Sequence, residues 1–294
     1  MKILITGGTG FIGKHLTNHF LTQKNEVIIL TRKPLQSNQE GLIYRTYEKG
    51  KIPNIENVDV LINLAGAGIA DKNWSAAYKK EILDSRIQAT RACVEFIEQA
   101  SIKPKVFVSS SAIGYYGTKS TKILDEHAPA GDDFLAKVAL QWEAEALKAP
   151  IRTVLLRTGI VLGMDGGALP KIIPPFKFYA GGHIGSGKQG FPWIHIRDVV
   201  NLVDWAILNE KVSGPLNLVA PETLNNAQFA KILGKILHKP SGLPLPAILI
   251  KSLLGERAML LLEGQFVIPK KALEMGYSFI FPTAEAALKD LLVH

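Results

Sequence analysis

Seven residues near the start of the chain, Gly7-Gly8-Thr9-Gly10-Phe11-Ile12-Gly13, constrain the fold more than any other feature. They follow a short apolar run, residues 2–6, and open a segment in which Ile12, Leu16 and Phe20 share the spacing of one helix face. A turn between a strand and a helix leaves unpaired N–H groups at the helix N-terminus, where they bind phosphate. The motif therefore predicts a phosphate-binding turn; the alternative is a turn that only joins strand and helix.

The glycines of this turn have separate roles. Gly7 permits the tight turn, Gly10 lets the backbone approach a pyrophosphate, and Gly13 lets the helix pack closely on the strand. This arrangement after a strand and before a helix is the fingerprint of dinucleotide binding. We therefore expect the turn to hold the pyrophosphate of a dinucleotide.

The residues that follow the second apolar run predict which dinucleotide is bound. A site for NAD places Asp or Glu there to hold the ribose 2′-hydroxyl, but this chain has Thr31-Arg32-Lys33. A guanidinium pairs with a 2′-phosphate, which a carboxylate would repel. The sequence therefore predicts NADP(H), with Arg32 as the main determinant and Thr31 or Lys33 assisting; the alternative is an exposed basic turn.

Short β-branched runs alternate with helical patterns through the first 160 residues. Strands of this kind are buried on both faces, so they predict a parallel sheet in a doubly wound, Rossmann-type α/β domain. The chain then becomes rich in glycine and proline, before a helix over 199–208 with Asp198 as N-cap and two or three helices after Asn226. We predict a cofactor domain from 1–165 and 195–220, with 166–194 and 221–294 forming a small mixed C-terminal lobe on the substrate side.

Charge and cysteine content exclude other classes of protein. The net charge is +8, but no run of Lys and Arg exceeds two residues, so scattered surface lysines explain it better than nucleic-acid binding. The single cysteine, Cys93, fits a reducing compartment, and no segment reaches the ~18 uncharged residues of a membrane span. The sequence predicts a cytoplasmic protein with no metal site, no membrane span and no nucleic-acid partner.

The helix predicted over 75–98 carries a charge on its apolar face. Arg86 lies near the middle of the arc that faces the core, with Thr90 beside it. A buried guanidinium needs a partner, and this helix starts at the sheet edge where dinucleotides bind. Arg86, or Glu81 one turn earlier, is therefore expected to reach the cofactor; the alternative is an internal ion pair.

The chain resembles the extended short-chain dehydrogenase/reductase superfamily, and more narrowly an atypical epimerase-like subfamily within it. The superfamily motifs are the opening 6–13, Asn63-Leu64-Ala65-Gly66 and Ser109-Ser110-Ser111-Ala112. The subfamily motifs are Ser85-Arg86-Ile87, Ala112-Ile113-Gly114-Tyr115-Tyr116-Gly117, Trp142-Glu143, Arg157-Thr158-Gly159, Gly185-Ser186-Gly187, Trp193-Ile194-His195-Ile196 and Gly276-Tyr277. Members are labelled sugar-nucleotide epimerases or cell-division inhibitors.

Taken together, the motifs and the resemblance imply a set of cofactor contacts. These are Gly7, Thr9, Gly10, Phe11, Ile12, Gly13, Thr31, Arg32, Lys33, Leu64, Ala65, Gly66, Glu81, Arg86, Ser109, Thr158 and Gly159. Helices like 75–98 and 135–148 form dimers in superfamily relatives, so the resemblance also implies a homodimer.

The catalytic pair of the superfamily is missing from its usual place. Superfamily oxidoreductases carry a Tyr and a Lys four residues apart on one helix face, where the Tyr exchanges the substrate proton. This chain has Phe134 and Val138 there, and Lys137 is rotated 100° away, as a solvated lysine would be. Ser111 survives at the superfamily serine position.

Two tyrosines offer a substitute acid, which leaves two hypotheses about function. Tyr115 and Tyr116, with Ser111, would border the nicotinamide as catalytic groups; the alternative is aromatic packing over the nicotinamide or substrate. His195, Asp198 and Glu143 are interpreted as structural. The first hypothesis is an NADP(H)-dependent oxidoreductase or epimerase-like enzyme acting on an unknown small molecule, with loop 181–191 closing the substrate side. The second is an NADP(H)-sensing protein without turnover.

Overall fold

A parallel sheet forms the centre of the molecule, whose computed structural model describes residues 1–47, 50–118 and 120–293. The strands of this part of the chain are β1 (Lys2–Thr6), β2 (Glu26–Thr31), β3 (Leu42–Thr46), β4 (Val60–Asn63), β5 (Val106–Ala112), β6 (Ile123–Leu124), β7 (Arg152–Thr158), β8 (Ile160–Leu162), β9 (Trp193–His195), β10 (Gly214–Leu218) and β11 (Phe266–Val267). Seven of them pair in the order β10-β7-β5-β4-β1-β2-β3, all parallel. The predicted Rossmann-type fold is confirmed, and β1 and β4 flank the point where the strand order reverses.

Alternate residues of each strand pack on opposite layers of helices, as the two-residue period of a strand requires. Ile3 and Ile5 face one layer, in which Leu16 and Phe20 are buried. Leu4 lies in the core on the other side of the sheet. The central strands β1, β2 and β4 are therefore almost entirely apolar, and this pattern makes them recognisable in the sequence.

Helices cover both faces of the sheet and build the C-terminal part of the chain. In the described residues they are α1 (Phe11–Thr22), α2 (Ala76–Gln99), α3 (Phe134–Ala146), α4 (Leu169–Lys177), α5 (Ile196–Leu208), α6 (Asn226–Leu237), α7 (Ala247–Leu254), α8 (Met259–Leu262), α9 (Lys270–Glu274) and α10 (Ala284–Leu292). Short 3-10 turns lie at Ile113–Tyr116 and Gly255–Ala258. None of these helices is long and apolar enough to cross a membrane.

Side-chain caps fix where the two helices beside the cleft begin. Ser75 Oγ accepts the backbone N–H of Tyr78 at 3.2 Å at the start of α2. Asp133 Oδ1 accepts the N–H of Ala136 at 2.9 Å at the start of α3. Each cap satisfies one of the N–H groups that a helix leaves free at its N-terminus.

Two details of the C-terminal half differ from the sequence prediction. Asp198 is not the N-cap of α5, because His195 caps that helix through Nδ1, which accepts the Arg197 N–H at 3.0 Å. The Asp198 carboxylate instead accepts the backbone N–H groups of Ile280 and Phe281 at 2.8 and 2.9 Å. The described chain after residue 225 also holds five α-helices rather than two or three, since α8 and α9 are too short for a visible helical period.

A second apolar core lies beside the main sheet. It joins Leu169 and Phe176 of α4 with Phe229 of α6 and Leu288 of α10, around the fully buried Trp193. The core thus combines residues from 166–194 with residues after 221. The predicted domain division stays a proposal, but these two segments do share one core.

Candidate functional site

The glycine-rich turn after β1 forms a tight cradle at the carboxyl edge of the sheet. Gly7 has φ +70°, and a Cβ there would lie 2.7 Å from the carbonyl carbon of Leu64. A Cβ on Gly13 would lie 2.5 Å from the Gly7 carbonyl oxygen. Both positions therefore require glycine for the fold itself.

Gly10 differs from its neighbours because its Cβ position is nearly open. The single atom within 4 Å of it is the Gly7 carbonyl oxygen at 3.3 Å, and the residue is exposed. Gly10 is the N-cap of α1 and has no side chain to cap it, and the N–H groups of Phe11 and Ile12 find no acceptor among the described residues. Thr9 is exposed beside them. The cradle thus presents free N–H groups to whatever lies above Gly10.

Phe11 contributes to the cradle through its backbone, because its side chain packs against the glycines at 163, 166 and 167. A Cβ on Gly163 or Gly166 would lie 2.6 or 2.5 Å from the Phe11 ring, and one on Gly167 3.0 Å from it. These glycines leave room for the ring. Part of the glycine-rich stretch therefore serves packing against α1.

The basic turn after β2 lies at the same edge of the sheet. Thr31 is buried and its hydroxyl donates to the Lys33 carbonyl at 2.6 Å, which holds the turn in shape. Arg32 and Lys33 are both exposed. Of the three predicted residues, Thr31 orders the turn and the two cations point to solvent.

The turn after β4 packs against both β1 and α2. The Thr6 hydroxyl donates to Asn63 Oδ1 at 2.6 Å, and Asn63 Nδ2 donates to Thr90 Oγ1 at 2.9 Å. Gly66 follows this turn, and a Cβ there would lie 3.1 Å from the Arg86 side chain. Asn63 therefore holds the 64–66 turn in place, and Gly66 makes room for Arg86.

Arg86 has no carboxylate partner in the described structure. Its Nη1 donates to the carbonyl oxygens of Ala67 and Ile82, both at 2.9 Å. Burial lowers the pKa of Arg86 to about 10, and no neighbouring carboxylate offsets it. The internal ion pair that was the alternative for this residue is not formed, and the guanidinium lines a cleft.

Glu81, the other candidate on α2, is placed differently. It is exposed, and its carboxylate lies 3.1 Å from Lys72 Nζ. It is not among the residues that line the cleft. Arg86 thus reaches the cleft, whereas Glu81 pairs on the surface.

The cleft lies over the carboxyl ends of β5 and β7 and has a volume of about 330 Å³. Residues 112–114 and 158–160 form its floor, and the described C-terminal segment 259–265 closes the far side. Thr158 and Gly159 thus line the cleft, whereas Ser109 lies fully buried within β5. Of the predicted loop 181–191, Gly190 reaches this cleft.

The wall formed by α3 is apolar. Leu135, Val138, Ala139 and Trp142 of this helix line the cleft. Phe134 instead packs edge-on against Trp74, with ring centres 5.3 Å apart. This helix face carries neither a phenol nor an ammonium group.

Two of the predicted catalytic hydroxyls, those of Ser111 and Tyr116, lie in a buried network behind the cleft. Ser111 Oγ donates to Glu143 Oε1 at 2.6 Å, and the Tyr116 hydroxyl donates to Asn217 Oδ1 at 2.7 Å. Burial raises the pKa of Tyr116 to about 12, despite the neighbouring Arg157. Tyr115 stacks on Arg157, with the guanidinium carbon 3.4 Å from the ring centre. None of the three lines the cleft, so their placement favours neither proton transfer nor packing over a bound substrate.

An ion pair holds this network together. Arg157 Nε and Nη2 donate to the two carboxylate oxygens of Glu143, each at 2.8 Å, and both residues are buried. Burial alone would lower the pKa of Arg157, but the hydrogen bonds from its guanidinium to Glu143 outweigh it and raise the pKa. Glu143 is thus structural, as expected from the sequence.

Three polar residues of the cleft were missed by the sequence analysis. The Thr118 hydroxyl donates to the Glu263 carboxylate, and both side chains line the cleft. Gln265 Nε2 donates to the Ile113 carbonyl at 2.7 Å. Glu263 and Gln265 reach the cleft from a segment about 145 residues after Thr118 in the chain, and no spacing signal marks such a pair. In the part of the chain that is described, no cluster of His, Cys, Asp and Glu forms a metal site.

The cradle at the strand-order reversal, with a cleft over the neighbouring strand ends, defines a Rossmann-fold protein of the extended short-chain dehydrogenase/reductase type. Comparison with known families then places it further. The family described as the NAD dependent epimerase/dehydratase family matches residues 3–219, and a domain of unknown function, DUF1731, matches residues 245–291. The chain belongs to the NAD dependent epimerase/dehydratase family, which confirms the resemblance found in the sequence.

Individual relatives match along the whole chain. The epimerase family protein YfhF of Bacillus subtilis is 40% identical over 299 residues, covering 99% of this chain and 98% of the relative. A crystal structure of the human epimerase family protein SDR39U1 (isoform 2) with NADPH is 38% identical, with a TM-score of 0.90 and 99% of each chain covered. A nucleoside-diphosphate sugar epimerase from Corynebacterium glutamicum is 30% identical with a TM-score of 0.78; the match covers 99% of this chain and 58% of that one.

Proposed function

We propose that this protein binds NADP(H) across the carboxyl edge of its sheet and uses it as an oxidoreductase or epimerase-like enzyme on a small molecule. The cradle carries the proposal, because it leaves open space above Gly10 while Gly7 and Gly13 are closely packed. Such an arrangement fits a pyrophosphate, which the free N–H groups of Phe11 and Ile12 would hold. NADPH bound to the similar human protein supports the assignment.

The preference for the phosphorylated cofactor rests on Arg32. It is exposed at the end of β2, where an NAD site would carry a carboxylate. Arg32 with Lys33 would hold the 2′-phosphate, and the turn that carries them is fixed by Thr31. Arg86 supplies a further desolvated cation in the cleft.

The proposed reaction takes place in the cleft. When bound, NADPH supplies a hydride. The apolar wall of Leu135, Val138 and Trp142 excludes water from the reacting groups. Phe134 and Val138 stand where superfamily oxidoreductases carry the catalytic Tyr and Lys. We therefore assign proton exchange to Glu263, which carries the only carboxylate among the described residues that line the cleft. Thr118 orients that carboxylate, while Ser111 and Tyr116 position the strands behind it.

A turnover screen tests this function. NADPH absorbance is followed with a panel of aldehydes, ketones and sugar nucleotides, and the Gly10→Ala variant serves as the matched control. The proposal predicts consumption by the wild-type protein that Gly10→Ala lacks. Bound NADPH without consumption across the panel counts against an enzyme.

One observation favours a second function, that of an NADP(H)-sensing protein. The α3 wall carries neither the tyrosine nor the lysine that superfamily oxidoreductases use there. Such a protein would bind partners differently with NADPH and with NADP⁺. Identical pull-downs in the presence of each form would remove support for it.

The homodimer built on α2 and α3 also stays a prediction. Light scattering coupled to size exclusion measures the mass in solution. A mass near twice 32.1 kDa is expected; a monomer would contradict the analogy.

A further inference from the structure

A second cavity continues the cleft into the C-terminal part of the molecule. It has a volume of about 220 Å³. Ile160, Gly190, Leu260 and Glu263 line both spaces, so the two adjoin along this common wall. A molecule longer than the cleft would therefore extend into the second cavity.

The second cavity is formed mainly by apolar side chains. Aromatic and aliphatic groups from α4, α6 and the 182–191 loop surround it, among them Ile172, Phe176, Phe229 and Ala230. Phe191 stacks on Phe229 with ring centres 4.2 Å apart, which gives the cavity a rigid aromatic wall. Such a surface favours a hydrocarbon chain or ring over a polar group.

The polar groups of this cavity include two hydrogen-bond acceptors. Gln189 Nε2 already donates to the Ile184 and Leu261 carbonyls, both at 2.9 Å, and its Oε1 is buried without a partner in the described structure. Glu263 stands at the junction with the cleft. Both groups suit a ligand that donates a hydrogen bond, such as an alcohol.

The charge distribution disfavours a nucleoside diphosphate in this cavity. A pyrophosphate would bring two negative charges close to the Glu263 carboxylate. Among the described residues that line the second cavity, Lys171 is the only one with a cationic side chain, and it is exposed to solvent. An exposed lysine gives weak compensation in water, and Arg86 lies in the cleft and not in this cavity.

We propose that the substrate site takes an uncharged, largely apolar molecule that bears a hydroxyl or carbonyl group, rather than a nucleoside-diphosphate sugar. The apolar part lies in the second cavity, and the hydroxyl of the alcohol form donates to Glu263. This substrate class rests on the proposed function, since it places the polar end of the molecule in the cleft beside the cofactor.

The test is calorimetric titration of the NADPH-saturated protein with two probes, 1-octanol and UDP-glucose. We expect 1-octanol to bind and UDP-glucose not to bind. Ala230→Phe, which fills the cavity from α6, should weaken 1-octanol binding at least about tenfold and leave NADPH binding unchanged. The exposed neighbour on the same helix gives the matched control, Lys231→Phe, which should change neither.

Three outcomes would overturn the proposal: no binding of 1-octanol to the NADPH-saturated protein, tighter binding of UDP-glucose than of 1-octanol, or octanol binding that Ala230→Phe does not alter. Should Ala230→Phe fail to fold, Ile172→Trp is the substitute variant, because the half-buried Ile172 of α4 lines the same cavity. It should weaken 1-octanol binding in the same way. Failure of the wild-type protein to bind NADPH would instead contradict the proposed function. That result is visible before either probe is added.

Discussion

The guanidinium carbon of Arg86 lies 5.1 Å from the centre of the Trp142 ring. Trp142 is itself fixed, because its indole N–H donates to the buried Thr90 hydroxyl at 2.9 Å. This contact holds Arg86 at the cleft without any carboxylate to neutralise it. A desolvated cation of this kind is prepared for an anionic ligand.

Arg86→Gln should weaken NADPH binding about tenfold to a hundredfold, because a hydrogen bond to a charged group contributes about 1.5–3 kcal/mol. Fluorescence titration of NADPH measures the change. Glu81→Gln on the same helix is the matched control and should have no effect, since Glu81 is exposed and outside the cleft. Equal affinities of Arg86→Gln and the wild type would show that this cation does not contact the cofactor.

Gly10→Ala and Gly13→Ala should have opposite consequences. Gly10 has φ −76° and ψ 176°, which alanine adopts freely, so Gly10→Ala should melt within about 2 °C of the wild type. Its methyl group would occupy the cradle and remove the stabilisation by NADPH, about 2.7 kcal/mol at a hundredfold excess over Kd. Gly13→Ala should destabilise the free protein, because its Cβ would lie 2.5 Å from a backbone oxygen.

Melting curves with and without NADPH separate the two variants. A Gly10→Ala protein that NADPH still stabilises fully would refute a phosphate site at this turn.

Breaking the Glu143–Arg157 pair should cost about 3–5 kcal/mol of unfolding free energy, because each change leaves one buried charge without a partner. Glu143→Gln and Arg157→Met are the variants, and urea denaturation is the measurement. The exposed ion pair of Lys80 with Asp84 offers the control, and Asp84→Asn should cost less than about 1 kcal/mol. A loss below 1 kcal/mol for Glu143→Gln would contradict a structural role for this pair.

Stability should fall in mild acid because of His195. Burial lowers the pKa of this histidine from 6.5 to about 4, against the opposing effect of Asp290. The unfolded chain then binds the proton more tightly than the folded one, so stability is complete above pH 6.5 and is lost as the pH falls towards 4. The contribution amounts to as much as about 3 kcal/mol.

Urea denaturation between pH 7 and pH 5 measures this slope. His195→Asn keeps a capping side chain at the start of α5 but does not titrate. It should flatten the slope even if it lowers the stability overall. An unchanged slope would assign the acid sensitivity to other groups.

The strands and the cradle were predictable because local sequence determines them. β1, β2 and β4 are apolar runs buried on both faces, Gly7 has a positive φ, and Gly13 is dictated by contacts with Gly7 and Gly8 of the same turn. The edge strand β3 is harder to recognise in the sequence, because none of its residues is fully buried and its last two are exposed.

The cleft was harder to predict because it is built by residues distant in the chain. Glu263 meets Thr118 across 145 residues, and nothing in either local sequence marks the pairing. Ser111 and Tyr116 matched family positions, but β5 directs the Ser111 side chain, and the 3-10 turn after β5 directs that of Tyr116, into the buried network with Glu143 and Arg157. Motif position therefore identified the loop, whereas side-chain direction needed the structure.

The central claim, that the site selects NADP(H), is tested most directly by calorimetric titration of NADPH and NADH against the wild type and Arg32→Gln. The wild type should bind NADPH at least about tenfold more tightly than NADH, since charge-assisted bonds to the 2′-phosphate contribute about 1.5–3 kcal/mol. Arg32→Gln should bring the ratio close to one, while Lys211→Gln, which removes another exposed cation, should leave it unchanged. Equal affinities for the two cofactors in the wild type, or an undiminished ratio in Arg32→Gln, would contradict the claim.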